Sequence, residues 1–277
     1  IVLVVGASAD RVQEVVGDGV LYVTQAERLG TGHAALQARE TLLGRSDAVL
    51  ILDGDMPALR AETLRRLLDL HAQRQPAITI LSVTAEDSMG FGRVVRDRSG
   101  RAVAIVEEAV APPEVLAIRE LNCGVYCCRA DWLWSRLPTI PKTEPKGEYY
   151  LTDLVGLAAS EGEAVEVLTI DEVSEVQGIN SRAHLAQCEA ILRRRTAERL
   201  MAEGVTLIDP ATTYAEATVR VGRDTIIYPN THLQGHTVIG ERCVIGPNSI
   251  VRDTRIGDDC TVLASVLEGA VLEDHVE

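Results

Sequence analysis

From Val221 onward an aliphatic residue returns every six positions: Val221, Ile227, Leu233, Ile239, Ile245 and Val251, with Gly222, Gly240 and Gly246 directly after three of them. A six-residue repeat with small or turn-forming residues between aliphatic pegs is the signature of a parallel β-helix, each peg pointing into one continuous core. The register slips by one at Ile256-Gly257 and is less regular beyond. Stacked coils need neighbours to cover their ends. A chain that stops at Glu277 therefore reads as ending inside the repeat, and one that opens on the apolar run "IVLVVG" reads as starting inside a domain.

Residues 1–180 have a different texture. Strand-like runs at 1–5, 20–23, 48–52, 77–83 and 123–128 alternate with helical stretches such as 32–43 and 61–74. The alternation predicts a layered α/β domain with a mostly parallel sheet. In 92–107 the sequence "DRSG" separates two short apolar runs, which predicts a β-hairpin inserted over the sheet edge. The run Val49-Leu50-Ile51-Leu52 reads as a strand covered on both faces, and Asp53, Gly54 and Asp55 follow at its carboxyl end, the edge at which open α/β sheets bind ligands. A plain turn leading to the helix near Ala61 accounts for the same residues equally well. Residues 182–203 predict a linking helix with Leu185, Cys188, Leu192 and Leu200 close to one face, Gly204 as its stop, and Arg193-Arg194-Arg195 on the opposite face. A solvated face explains that basic run better than an anion site does. The organisation expected is thus 1–181, 182–204 and 205–277.

A formal charge of -14 and 3% aromatic residues argue against a nucleic-acid surface. An anionic substrate would have to be held by backbone donors, a metal or a few placed cations. No apolar run approaches the ~20 residues of a membrane span, and no signal-peptide pattern is present, so the expectation is a cytoplasmic protein without membrane insertion. Cys123, Cys127, Cys128, Cys188, Cys243 and Cys260 show no CxxC or zinc spacing and read as reduced, mostly buried thiols.

Eight strings occur in a telling order: "QAERLGTGHA" (25–34), "LDGDMP" (52–57), "GFGRVVRD" (90–97), "IVEE" (105–108), "ELNCGVY" (120–126), "GEYYLTD" (147–153), "GINSR" (178–182) and "GVTLIDP" (204–210). Followed by the hexads, they resemble the bifunctional N-acetylglucosamine-1-phosphate uridylyltransferase/glucosamine-1-phosphate acetyltransferase family over essentially the whole chain. The resemblance implies a Rossmann-like nucleotidyltransferase domain, a helical arm and a left-handed parallel β-helix that forms a homotrimer, with Ile226, Val238, Val244 and Ile250 on the outer faces. The implied reaction is uridylyl transfer from UTP to N-acetylglucosamine 1-phosphate, giving UDP-N-acetylglucosamine and pyrophosphate, with acetyl-CoA a partner of the complete parent.

The resemblance also assigns residues. Asp55 and Asn180 would hold Mg²⁺, a hard ion suited to a few oxygen ligands and open positions for phosphates. Gln25, Gly30 and Thr31 would read the uracil base, Gly30 offering no Cβ to block close approach and Thr31 lying at a helix start with free backbone donors. A structural helix cap is the competing account of Thr31. Gly92, Glu107 and Asn122 would contact the N-acetylglucosamine moiety, and Asp53 and Gly54 belong to the same substrate-binding loop as Asp55. His33 receives no chemistry, and His232 and His236 read as exposed turn residues. Two departures stand out: Asp53 where the family usually has tyrosine, and Cys123 where it usually has threonine. The family's glycine-rich phosphate loop would precede Ile1, so weak product binding and slow turnover are expected of this chain by itself. Rival readings are another sugar-1-phosphate nucleotidyltransferase and a non-catalytic trimerising scaffold.

Overall fold

In the computed structural model, which describes residues 1–143 and 147–277, the chain divides into two units, Ile1–Val176 and Gln177–Glu277. The first opens with β1 (Val2–Val5), α1 (Ala9–Val16), β2 (Leu21–Thr24), α2 (Thr31–Gln37) and α3 (Arg39–Leu42). It continues through β3 (Ala48–Ile51), α4 (Ala61–Arg74), β4 (Ile78–Thr84), β5 (Arg93–Arg96) and β6 (Ala102–Val106). A short α5 (Pro113–Leu116), the long strand β7 (Glu120–Arg129), α6 (Ala130–Arg136), α7 (Asp153–Ser160) and β8 (Val165–Ile170) complete it. The helix expected over 32–43 is broken at Ala38 into α2 and α3.

β1 and β2 pair in parallel as a sheet of two. The larger sheet runs β6-β5-β7-β4-β8, with β3 also on β7. Within it β4 and β8 pair in parallel, whereas β7 runs antiparallel to β3, β4 and β5. This corrects the expectation of a mostly parallel sheet. The hairpin β5–β6 reverses the chain once, so β7, which follows it, runs with β6 and against β3, β4, β5 and β8. That hairpin does form, closed by Asp97 accepting from the Ser99 and Arg101 amides, but it prolongs the sheet through Arg93 opposite Leu121 instead of lying over the edge.

Side chains alternate along β7 as pleating requires. Leu121, Cys123, Val125 and Cys127 pack with Leu67 of α4 and Ile170 of β8, while Tyr126 and Cys128 join Trp132, Leu133 and Leu154 of α6 and α7 on the other side. The unit is therefore three layers with β7 at its centre. β3 is less covered than its apolar run suggests: Val49 is buried, its neighbours are half-buried and Leu52 is exposed, since β7 is its one strand partner among the described residues. All six cysteines are buried and free of disulfides, and burial pushes the Cys127 thiol up to about 11.

The second unit begins with α8 (Arg182–Ala202), whose first turn is capped by the Ser181 hydroxyl accepting from the His184 amide at 3.2 Å. Gly204, at φ 101°, lets the chain leave the helix. The buried positions of α8 are Cys188, Thr196, Ala197 and Leu200. Leu185 and Leu192 are exposed, contrary to the single apolar face expected: three of the four buried residues, Thr196, Ala197 and Leu200, lie in the C-terminal half of the helix.

The hexads then wind three parallel four-stranded sheets that stack in the manner of a left-handed β-helix. Ile227 pairs with Ile245 eighteen residues on, Ile239 with Ile256 seventeen on, and Val251 with Leu267 sixteen on. The slip read from the sequence at Ile256 is this shortening. Every peg from Val221 to Val262 is buried. A second buried layer lies two residues before each peg: Val219, Thr225, Thr231, Thr237, Cys243, Ser249, Thr254 and Cys260. Its threonines donate to backbone carbonyls, as Thr225 does to Gly240 at 2.8 Å and Thr237 to Gln234 at 2.7 Å, so the hydroxyls are buried without loss. Gly222 lies so close under the next coil that a Cβ would come within 2.5 Å of the Gly240 carbonyl carbon.

Candidate functional site

The site grows out of an irregularity in β7. On one edge this strand pairs with β3 over residues 126–129 and with β5 at Leu121, leaving 122–125 between them. On the other edge Ile80 faces Tyr126 and Ser82 faces Asn122, so three residues of β7 stand opposite Leu81 alone. The strand bulges there, with Gly124 at φ 70°, and bulges commonly re-aim side chains at functional sites. Here the bulge aims Asn122 and Tyr126 at each other: the Asn122 amide donates to the Tyr126 hydroxyl at 2.7 Å. The Asn122 side-chain carbonyl oxygen, equally buried, has no hydrogen-bond partner among the described residues, which makes it an acceptor suited to a donor from a ligand.

Asp53 follows β3 into the gap beside the bulge. A Cβ on Gly124 would come within 2.4 Å of its Oδ2, so glycine is required both for the backbone angle and for this approach. The residue keeps part of its surface exposed, yet its carboxylate is desolvated, and this with the charges of Asp55 and Glu107 pushes its pKa up to about 6. Desolvation is the largest cause. Glu107 approaches from the end of β6: its Oε1 accepts from the Thr152 hydroxyl at 2.9 Å, and its Oε2 would lie 3.5 Å from a Cβ at Gly92. The Gly92 carbonyl in turn accepts from the Asn122 backbone N–H at 2.8 Å. Asp53, Gly92, Glu107 and Asn122 are thus one cluster, with Asp55 close enough to act on it by charge and Gly54 between the two aspartates. Burial and the same two carboxylates, Asp53 and Glu107, push the Tyr126 hydroxyl far up.

The other expected residues lie at the start of α2. Gly30, at φ 96°, precedes the helix, and a Cβ there would meet the Tyr149 carbonyl oxygen at 2.6 Å. Its lack of a side chain is explained by that backbone. Thr31 makes no cap; its hydroxyl oxygen accepts from the Leu151 amide at 3.0 Å, tying α2 to the segment that supplies Thr152. Gln25 donates to the Gly30 carbonyl at 3.1 Å and lies 3.0 Å from His33 Nδ1, whose other ring nitrogen is 3.1 Å from Gln37. His33 is therefore part of the scaffold holding Gln25. Asn180 belongs to the second unit, beside the Ser181 cap, with its amide on His184.

Three contributors were not picked out from the sequence. Tyr126 and Thr152 touch Asn122 and Glu107 directly, and Gly124 makes room for Asp53. Tyr126 and Thr152 lie inside strings that carry the family resemblance, which was the available signal; the bulge that makes them neighbours has none.

Residues 6–172 match the family described as Nucleotidyl transferase. The chain belongs to the nucleotidyl transferase family. Residues 218–253 match the Bacterial transferase hexapeptide (six repeats). Among relatives, the Bifunctional protein GlmU of Exiguobacterium sp. is 44% identical over 96% of this chain and 59% of its own length. That of Caldanaerobacter subterraneus subsp. tengcongensis is 43% identical over 100% of this chain and 60% of its own. The chain therefore spans about 60% of the length of these relatives. Nucleotidyl transferases generally use a divalent metal, and the donor set suits one. Asp55 has no hydrogen-bond or ion-pair partner among the described residues, and it stands in a crowd of carboxylates whose repulsion a dication would relieve. No group of three or more His, Cys, Asp or Glu among the described residues forms a cage of its own. Such a donor set fits a hard ion that takes its remaining oxygens from phosphates and water. Among the described residues no helix is long and apolar enough to cross a membrane.

Proposed function

We propose that this chain carries the uridylyl-transfer site of an enzyme joining UTP and N-acetylglucosamine 1-phosphate to give UDP-N-acetylglucosamine and pyrophosphate. The observation that carries the reading is the cluster at the β7 bulge, in a chain whose residues 6–172 match nucleotidyl transferases. Glu107 and Asn122 suit a sugar: the carboxylate accepts from hydroxyls, and the unpartnered Asn122 carbonyl oxygen accepts a donor such as an acetamido N–H. Gln25, with Gly30 and Thr31, would read the base, oriented by His33 and the 149–151 segment. Asp55 and Asn180 would hold Mg²⁺, which when bound offsets the mutual repulsion of the phosphates. The residues named bind and orient; no side chain serves as nucleophile, since the sugar phosphate attacks directly. We place the chain in the cytoplasm, in a homotrimer built on the β-helix. Acetyl transfer from acetyl-CoA to glucosamine 1-phosphate belongs to this reading as the second activity of the longer protein.

The test pairs calorimetric binding of UDP-N-acetylglucosamine with pyrophosphate release from UTP and N-acetylglucosamine 1-phosphate. Mg²⁺-dependent binding or release that exceeds the values with dTDP- or GDP-sugars supports the reading. A preference for another base overturns the substrate assignment, and no binding of any nucleotide sugar leaves the scaffold reading standing.

A further inference from the structure

A cavity of about 510 Å³ lies within the second unit, between α8 and the outer side of the strands Thr213–Ala215 and Thr231–Gln234. That volume is in the range of small-molecule sites, about 300–1,000 Å³. Its helix wall carries Arg193, Arg195 and Arg199, and its coil wall carries Tyr214, Glu216 and His232. The basic run is thus divided: Arg194 turns to solvent, 3.8 Å from Glu198, while Arg193 and Arg195 are half-buried and line the cavity. His232 is no turn residue either. It sits in a strand, stacked on Tyr214 with centroids 4.5 Å apart and planes 5° from parallel. The Arg193 guanidinium lies over the Tyr214 ring at 4.3 Å.

The charges around it are unevenly spent. Arg199 is held by Glu203 at 3.0 Å and by the carbonyls of Ala217 and Val219. The Glu216 carboxylate accepts from the Gly235 amide at 2.9 Å. Glu189 also lines the cavity. Arg193 has no carboxylate partner among the described residues; its guanidinium is held over the Tyr214 ring face, a contact that takes up none of its N–H groups. In a chain of net charge -14, guanidinium groups set into a cavity are a local attraction for anions. Their planar fork matches phosphate oxygens, which a solvated helix face has no need of.

We propose that this cavity binds a phosphoryl group, free or carried on a small organic molecule, through Arg193 and Arg195. The site lies wholly in the second unit and does not depend on the uridylyl-transfer reading. ³¹P NMR titrations of the protein with inorganic phosphate and with glucose 6-phosphate test it. Broadening of either resonance is expected with the unaltered protein and with Asp55→Ala, and an affinity about tenfold weaker with Arg193→Gln or Arg195→Gln. Tighter binding of the sugar ester identifies an esterified ligand; equal binding identifies free phosphate. No broadening with either probe overturns the proposal, a result that the unaltered protein delivers whether or not the variants fold. So does broadening unchanged in both arginine variants.

Discussion

Asp55 is a carboxylate and Asn180 a neutral amide, and a hard dication binds the first more strongly than the second. Asp55→Ala is therefore expected to abolish Mg²⁺-dependent pyrophosphate release, and Asn180→Ala to weaken it, with circular dichroism unchanged in both. If Asp53→Ala proved the more damaging, the metal would sit on the other aspartate. A second residue-scale prediction concerns His71 of α4. Its Nδ1 lies 2.9 Å from the Thr79 hydroxyl, and burial, helped by the charge of Arg129, holds its pKa below the ordinary 6.5. Arg129 faces it from β7 while itself paired to Asp131 and Glu163. In the folded protein His71 stays neutral where the unfolded chain takes up a proton. Its contribution is complete above pH 6.5 and is lost as pH falls through the lowered folded value. The urea midpoint of the first unit should fall below that pH, and less steeply in His71→Gln.

At the scale of the element, the β-helix depends on pegs that each contact the coil above and below. Ile245 is fully buried. Replacing it with alanine should cost about 2–5 kcal/mol, since stacked coils relax little into a cavity; denaturant unfolding of the variant measures this. A loss below 1 kcal/mol would mean that the coils collapse onto the gap. Much of this element was legible in advance, because a peg announces itself by type and period alone. The layer two residues earlier was not, since Thr231 and Thr237 look like turn residues until their hydroxyls are seen to donate to carbonyls. The same limit applied in the first unit. "DGD" at the end of β3 could be read as a ligand edge, but Tyr126 and Gly124 enter the site through a bulge, and Thr152 through a hydrogen bond to a residue 45 positions away, neither of which spacing encodes. The long helix misled for a related reason: a stripe of leucines predicts burial only where something lies against it, and Leu185 has no such cover.

For the whole molecule, the β-helix leaves Val238 and Ile250 at 37% and 38% exposure, and Val266 and Val271 more open still. Outward aliphatic side chains on a regular prism invite cover by copies of the same prism, and closed symmetry limits that growth. Size exclusion with light scattering over a concentration series should show a monomer–trimer equilibrium, shifted towards monomer by Val238→Glu; a strict monomer at high concentration would remove the trimer from the reading. In the first unit the layers answer to a different constraint. The β7 bulge sets three residues where β4 has one, and because the surplus is even, Leu121 before it and Cys127 after it stay with α4, while Tyr126 and Cys128 face α6 and α7. Deleting a single codon at Gly124 would swap those sides for everything downstream, turning Tyr126 and Cys128 towards α4 and Cys127 away from it. Length in this strand is thus constrained in steps of two: its letters can be exchanged one at a time, but one lost or gained alone re-sides every residue after it.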